Sequence, residues 1–428
     1  MKPAIQPVKG TRDFYPERMA VRNFIYQRAR TVSESFGYQE YEGPLLEPYE
    51  LYAAKSGEEL VDQQSFVFPD RGGDLITLRP ELTPTLARMV AQRQKQLIYP
   101  LRWWSWGPFW RYERPQKGRT REFFQWNIDL IGVDSPEADA EIVAIAAKFL
   151  QECGLSANQV NILVNNRKLM ELKINQLGID AENNTEVFNI IDRRDRMDET
   201  NWEAYATEIG LNSQQLDGLK DILSDSNLWQ ESAELTRFFS VLKSLEVEEY
   251  IRFAPQIIRG LDYYTGTVFE VWDKDGEFRA ILGGGRYDNL VADVGGDPLP
   301  ATGFAMGDLV ISLVLEKFNC LPEDAGRSPA PILVTVFDED SFNVSFQLAA
   351  RLRNSNLNVI CYPAATKLSR QFKFGDRLGI RVAVIVGPDE QENDTVSLKD
   401  LATGNQETVP IGKLVQSIQN ILDGTFSS

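Results

Sequence analysis

The sequence predicts an α+β chain: an antiparallel sheet core with helices, a helical insertion, and a C-terminal three-layer α/β domain. Three observations predict it. Leu101–Gly132 reads as two aromatic-rich strands, Trp103–Tyr112 and Phe123–Ile131, joined by a long basic loop with Pro115 and Gly118 as turn formers. Lys168 to Glu248 is charge-rich, with short apolar groups and no strong strand run, which reads as helical. Beyond the linker Leu321–Pro331, strand and helix patterns alternate to the end of the chain. The expected division is a core at 1–167 and 249–320, an insertion at 168–248, a linker at 321–331 and a last domain at 332–428.

The elements follow in order. Lys9-Gly10-Thr11-Arg12-Asp13 is a polar turn, and Met19–Phe36 has helical spacing closed by Gly37. Tyr41–Tyr49 is a short apolar piece between prolines, suited to an edge. Ser65–Pro69 and Leu75–Leu78 form a hairpin around Arg71-Gly72-Gly73-Asp74. Pro84 fits the first position of a helix over Thr85–Gln94 with Thr83 as N-cap, which puts Glu81 between a strand end and a helix start. Pro136–Glu152 is a helix and Val160–Val164 a strand. The insertion that follows reads as a functional module or as a packing or dimer accessory. Thr267–Trp272 and Ile281-Leu282 make a second hairpin. Gly283-Gly284-Gly285 then fits either a turn or a close backbone approach; it has neither the Walker A nor the Rossmann spacing. Gly303 and Gly307 suggest tight packing beside a ligand or another strand, ahead of a helix at Leu309–Leu315.

Composition narrows the chemistry. The chain has 428 residues and a net charge of -17, from 45 basic and 62 acidic side chains. Such a balance disfavours non-specific adhesion to nucleic acid or an anionic membrane, while leaving room for a local basic surface. There is no histidine, so imidazole catalysis and imidazole metal ligands are excluded. The 3 cysteines, Cys153, Cys320 and Cys361, are far apart in sequence, so a reduced cytoplasmic protein without structural zinc is expected. No membrane-spanning run is present in the sequence, and no membrane partner is expected. Arg, Lys, Glu, Asp, Gln, Tyr and backbone groups must then do the work, which suits phosphoryl and nucleotidyl substrates.

The polar positions share a theme. Arg111, Gln125, Asn127 and Asp129 sit at odd positions on strand-like segments, so each set shares a face. Inward polar groups on central strands are costly without partners, and a small polar ligand is one such partner. Glu81 and Asp129 suit an amino group; Arg111 and Arg259 suit carboxylate or phosphate. With Gln125, Tyr263 and Tyr264 they fit an amino acid beside a nucleotide phosphate. The charged loop between the strands also has the plainer reading of a solvated hairpin loop, and Glu81 that of a capping or surface carboxylate. Lys367, Arg370, Lys373 and Arg377 fall near one helical face, suited to RNA backbone or to simple solvation.

At these residues the chain resembles the histidyl-tRNA synthetases, class II aminoacyl-tRNA synthetases. Lys9–Asp13 matches the family opening, and Pro44-Leu45-Leu46-Glu47 the proline-centred first motif, which implies a homodimer. Leu78–Glu81 and Arg111–Gln125 match the second motif; Gly303–Gly307 begins the third. Arg259-Gly260-Leu261-Asp262-Tyr263-Tyr264 and Gly283-Gly284-Gly285-Arg286-Tyr287-Asp288 match the stretches peculiar to histidine-specific members. The C-terminal domain looks like an anticodon-binding domain. The resemblance implies ATP with Mg2+ on its phosphates, histidine and tRNA(His). It places Arg111 and Arg259 across the α-phosphate. It puts Glu81, Gln125, Asp129, Arg259, Tyr263 and Tyr264 around histidine, with Glu81 on the α-amino group. Glu113 and Arg119 would lie near ATP. Three positions depart from the common pattern: Val310 replaces an arginine on the γ-phosphate side, Asp129 a glutamate and Phe124 a histidine. The Gly307-Asp308 ending resembles a plastid and cyanobacterial branch. Two other readings share the fold. One is the catalytically silent regulatory subunit of ATP phosphoribosyltransferase, which usually lacks the C-terminal domain and the basic loop. The other is a tRNA-binding protein without turnover, against which Glu81, Arg111 and Arg259 stand.

Overall fold

The structure, a computed structural model, describes residues 5–53, 64–116, 118–194, 197–258, 263–322 and 326–424. The chain divides into two compact units, Met1–Tyr15 with Met19–Pro322 and Glu323–Ser428 with Pro16–Arg18.

The strands of the first unit are β1 (Gln39–Glu40), β2 (Leu46–Pro48), β3 (Phe66–Pro69), β4 (Leu75–Leu78), β5 (Leu101–Trp110) and β6 (Glu122–Ile131). They continue as β7 (Val160–Asn166), β8 (Ile251–Phe253), β9 (Thr267–Asp273), β10 (Leu282–Tyr287) and β11 (Ala301–Gly307). Eight of them form one sheet in the order β1-β5-β6-β11-β10-β9-β7-β8. Its pairs are antiparallel except β1 with β5 and β7 with β8. β2, β4 and β3 form a small antiparallel sheet.

The helices are α1 (Pro16–Ser35), α2 (Tyr49–Ala53), α3 (Thr83–Arg93) and α4 (Pro136–Glu152), then α5 (Arg167–Gln176), α6 (Asn184–Arg193), α7 (Glu199–Glu208), α8 (Ser213–Ser224) and α9 (Ala233–Ser244). α10 (Leu290–Asp293) and α11 (Asp308–Lys317) complete the unit. α5 to α9 fill the chain between β7 and β8. Local sequence starts several of them. Ser135 caps α4 by accepting from the Ala138 N–H, and Asn212 with Gln215 makes a capping box on α8. α3 starts earlier than expected: Thr83 is already helical and the cap position falls on buried Leu82, which makes no side-chain cap.

One face of the large sheet is apolar. Trp104, Trp126, Ile128, Leu130, Phe304 and Met306 are buried there in one cluster with Ile25, Ala29 and Val32 of α1 and Phe149 of α4. Trp126 packs at a tilt on Phe149 and edge-on to Phe304, with ring centroids 5.0 and 4.8 Å away, and its indole N–H donates to Ser33 Oγ at 3.2 Å. A second cluster, with Leu86, Val90, Ile131, Tyr287, Leu290 and Ala301, joins α3 and α10 to the opposite face at the Ile131 end.

The glycine triplet is a strand, not a turn. Gly283–Gly285 lie inside β10, between β9 and β11. A Cβ on Gly284 would strike the Gly303 carbonyl oxygen, and one on Gly285 would stand 2.6 Å from the Thr267 oxygen. Close approach, not unusual dihedrals, is what glycine supplies at these two positions.

The second unit has strands β12 (Ile332–Val334), β13 (Val359–Cys361), β14 (Val382–Ile385), β15 (Thr395–Asp400) and β16 (Gln406–Pro410) in the order β13-β12-β14-β15-β16. The first three are parallel and the last two antiparallel. Its helices are α12 (Phe342–Asn354), α13 (Leu368–Arg377), α14 (Pro388–Glu392) and α15 (Leu414–Leu422). β16 is the strand that the alternating pattern did not reveal, because Gln406–Pro410 is polar and proline-ended, as an edge permits. Fully buried Gln371 ties α13 to the chain just beyond β12: its amide exchanges hydrogen bonds with Val336 N and O at 3.0 and 2.7 Å.

Candidate active site

The other face of the large sheet is built of small residues. Strand alternation and register place Trp103, Ser105 and Gly107 of β5 beside Asp129, Asn127 and Gln125 of β6. Gly303, Ala305 and Gly307 of β11 follow, then Gly285 and Gly283 of β10. The result is a backbone floor crossed by four polar side chains, Ser105, Gln125, Asn127 and Asp129. Gln125 Oε1, Asn127 Nδ2 and Ser105 Oγ are buried there without a hydrogen-bond partner in the protein. Buried polar atoms are nearly always paired, so three orphans on neighbouring positions of one face mark a place for a polar ligand.

At one end stands Asp129, buried and accepting a hydrogen bond from Tyr287 Oη at 2.5 Å. Burial pushes its carboxyl up to about 7, although the tyrosine bond pulls the other way. Gly303 must be glycine, since a Cβ would strike Asp129 Oδ1. The Tyr263 ring lies 4.7 Å from Tyr264 and 6.1 Å from Tyr287; Tyr41 packs on Trp103 at 5.3 Å. The Tyr41 hydroxyl is buried without a hydrogen-bond partner. Burial and the neighbouring Asp129 raise its pKa well above the usual tyrosine value. This end is an aromatic box around one carboxyl group. Its frame is Arg286, whose guanidinium is buried and pairs with Asp139 at 2.8 Å while donating to the Val133 and Ser135 carbonyls at 3.1 Å.

At the other end lie Glu81 and the base of the basic loop. Glu81 is buried between β4 and α3, and its carbonyl accepts from Tyr52 Oη at 3.1 Å. Arg111 donates from Nε to the Pro80 carbonyl at 3.0 Å, which brings its guanidinium beside the residue preceding Glu81. Glu113 is buried and ion-paired with Arg119. Arg79 is wholly buried, donating to Pro108 O at 3.0 Å, Gly43 O at 3.1 Å and Glu42 at 2.5 Å. A Cβ on Gly107 would strike the Arg79 guanidinium, so this cation rests on the floor beside Gln125.

The structure thus gathers Asp129, Tyr263 and Tyr264 at one end, Glu81, Arg111, Glu113 and Arg119 at the other, and puts Gln125 on the floor between. Arg259 lies outside the described residues. Lys367, Arg370, Lys373 and Arg377 are exposed at the start of α13 and along it, in the second unit. Sequence reasoning passed over Tyr287, Tyr41, Ser105 and Arg79. Tyr287 was open to it: 283, 285 and 287 keep the two-residue phase of a strand. Arg79 stands in the sequence only as part of the second motif, with no role attached, and Tyr41 carries no signal, because their positions rest on long-range packing. Among the described residues, no group of three or more His, Cys, Asp or Glu side chains is placed to hold a metal ion, and no helix is long and apolar enough to cross a membrane.

An antiparallel sheet with a polar glycine floor, joined to a separate α/β unit, defines the class of aminoacyl-tRNA synthetases to which the comparisons lead. Residues 10–308 match the histidyl-tRNA synthetase family and residues 331–421 the anticodon binding domain family. A histidine–tRNA ligase of Thermoplasma volcanium is 39% identical, over 97% of this chain and 98% of its own. The chloroplastic/mitochondrial histidine–tRNA ligase of Arabidopsis thaliana is 38% identical, over 96% and 86%. The crystal structure of histidyl-tRNA synthetase from Nostoc sp. PCC 7120 superposes with a TM-score of 0.85 at 25% identity, covering 98% of this chain and 100% of that one. The chain belongs to the histidyl-tRNA synthetase family. An archaeal and an organellar relative match about equally, so these likenesses do not single out one branch.

Proposed function

We propose that the chain is a histidine–tRNA ligase whose two half-reactions take place on the glycine floor. The observation that carries the reading is the pairing of an aromatic carboxyl box with an arginine-bearing loop at opposite ends of one orphan-lined face. Histidine lies along the floor. Its imidazole meets Asp129, Tyr263 and Tyr264, and its α-amino group meets Glu81 and Gln125. ATP enters from the loop, with Mg2+ carried on its phosphates. Arg111 and Arg259 flank the α-phosphate while the histidine carboxylate attacks it and pyrophosphate leaves. A hydroxyl of the terminal tRNA ribose then attacks the acyl carbon, its proton passes to a phosphate oxygen of the adenylate, and the C–O bond to AMP breaks. Fixed guanidinium groups stabilise the charge that develops on phosphorus, and no protein base is required. Glu113 and Arg119 serve the nucleotide as a pair: Arg119 reaches a terminal phosphate by exchanging the Glu113 carboxylate for it.

Three further parts belong to this reading. The exposed cations of α13 meet tRNA backbone. The protein acts in the cytoplasm, consistent with three free cysteines. It works as a homodimer, which the small sheet supports. Leu46, Phe66, Phe68, Ile76 and Leu78 share one of its faces by register, and Leu46 and Phe68 remain 45% and 42% exposed. The basic loop and the matched anticodon domain both favour the ligase over the regulatory subunit of ATP phosphoribosyltransferase.

The test is histidine-dependent ATP–pyrophosphate exchange, with Arg259→Ala as control. Exchange that requires histidine and fails in the variant is expected, followed by charging of tRNA(His). A folded chain that shows no exchange with Mg2+ present, and that co-purifies with an ATP phosphoribosyltransferase, would overturn the reading.

A further inference from the structure

The opening Lys9–Asp13 takes no part in the roles above, yet the structure ties it to the back of the site. Arg12 Nη2 donates to both carboxylate oxygens of Asp308, at 3.0 and 2.8 Å, across 296 positions of sequence. Asp308, the first residue of α11, is buried and also accepts from the Phe124 backbone N–H at 2.9 Å. The Gly10 carbonyl accepts from the Arg121 and Glu122 N–H groups at 2.8 and 3.2 Å. Gly10 has φ +88°, and a Cβ there would stand 2.7 Å from Arg121 Cγ. Arg22 lies between the Phe14 and Phe124 rings, 4.6 and 4.3 Å from their centroids.

Three segments distant in sequence therefore meet: residues 10–14, the end of the basic loop where it enters β6, and the start of α11. The tip of the same loop also reaches α11, since a Cβ on Gly118 would lie 3.8 Å from Val310 Cγ2. A loop held at its base and resting at its tip on one helix has its position set by that helix. The Arg12–Asp308 pair is the joint. The carboxylate accepts three of these hydrogen bonds at once and sits at a helix N-terminus, where negative charge is favoured.

We propose that Arg12 is a positioning residue. Through Asp308 and the Phe124 N–H it fixes the basic loop against α11, and so sets how the loop's arginines meet the nucleotide. This rests on reading the loop as the ATP side of the site. Arg12→Ala, Arg12→Gln and Arg12→Lys test it with two readouts. In limited trypsin digestion of the folded chain, cleavage after Lys117 and Arg119 is expected to speed up about tenfold in Arg12→Ala, because a released loop opens more often. In pyrophosphate exchange, the same variant is expected to raise KM for ATP by about tenfold while KM for histidine stays within about twofold. Arg12→Lys restores most of both. Should the alanine variant fail to fold, the glutamine variant, which keeps a donor without charge, is expected to show both effects at smaller size. Unchanged loop cleavage in a folded Arg12→Ala or Arg12→Gln chain overturns the proposal, as does an equal rise in both KM values. Failure of the enzymatic reading itself would show in the parent chain, with the cleavage comparison still decisive for the joint.

Discussion

The two faces of the large sheet are made by the same strands and have opposite composition. β6 alternates Trp126, Ile128 and Leu130 on one side with Gln125, Asn127 and Asp129 on the other. β11 sets Phe304 and Met306 against Gly303, Ala305 and Gly307. The first face is filled by its own chain: α1 and α4 cover it, and the aromatic rings interlock. The second is thinned toward backbone, and Gln125, Asn127 and Ser105 each keep a buried polar atom without a partner in the protein. A filled face contributes stability; a thinned face with unpaired polar groups contributes a site. The same alternation serves both ends because a strand turns successive side chains to opposite sides.

That contrast can be broken most forcefully on the filled side. Trp126→Ala removes a wholly buried indole, its two aromatic contacts and its bond to Ser33, and is expected to cost about 3–5 kcal/mol. Denaturant unfolding measures it, and a loss below about 1 kcal/mol would show that α1 and α4 do not depend on this face. On the thinned side the fold should suffer less and the chemistry more. Gly303→Ala drives a methyl group into Asp129 Oδ1. Histidine-dependent exchange should fall by about a hundredfold, as expected when displacing Asp129 shifts the bound histidine by about 1 Å. A variant that unfolds with no selective loss of histidine use would make Gly303 a packing residue only.

Asp129 sharpens the comparison through pH. Its folded carboxyl keeps a proton to about 7, while the unfolded chain releases it in the ordinary carboxylate range. Between those values the folded state holds the extra proton, so this group makes stability fall as pH rises, with the full penalty present above about 7. Asp129→Asn removes it. The variant's Tm should gain on the parent's between pH 4 and pH 7 and hold that gain above, by roughly the linkage of a group shifted in this direction. Its KM for histidine should rise. A parallel pair of Tm–pH curves would show that Asp129 is not the proton-holding group.

The smallest effect belongs to the second unit. Lys367→Glu should weaken tRNA binding uniformly and lower the salt dependence by about one counterion, with adenylate formation unchanged. Equal losses in binding and exchange would deny that the α13 cations act on RNA alone.

Much of this is legible in the sequence. The two aromatic strands, the helical insertion and the alternating last domain follow from periodicity, and the odd-numbered polar set on β6 follows from strand phase alone. The glycine triplet was not resolved, because a turn and a close approach ask the same of a residue without a Cβ; only the neighbouring Thr267 and Gly303 carbonyls distinguish them. β16 was missed because an edge strand need not be apolar on either side.

Sequence by itself determined the chemistry available: no histidine, no cysteine cluster, and Glu81, Arg111, Gln125 and Asp129 placed where local pattern would aim them at one ligand. It determined the family through motifs that are short and local. Tertiary structure alone decided which groups stand next to Asp129, that Arg79 rests on the floor, and that Arg12 meets Asp308. The reason is physical. Phase and capping act over a few residues, whereas a hydrogen bond from Tyr287 to Asp129, or an ion pair from Arg12 to Asp308, joins side chains 158 and 296 positions apart. Such pairs exist only once the sheet has set the strands in order.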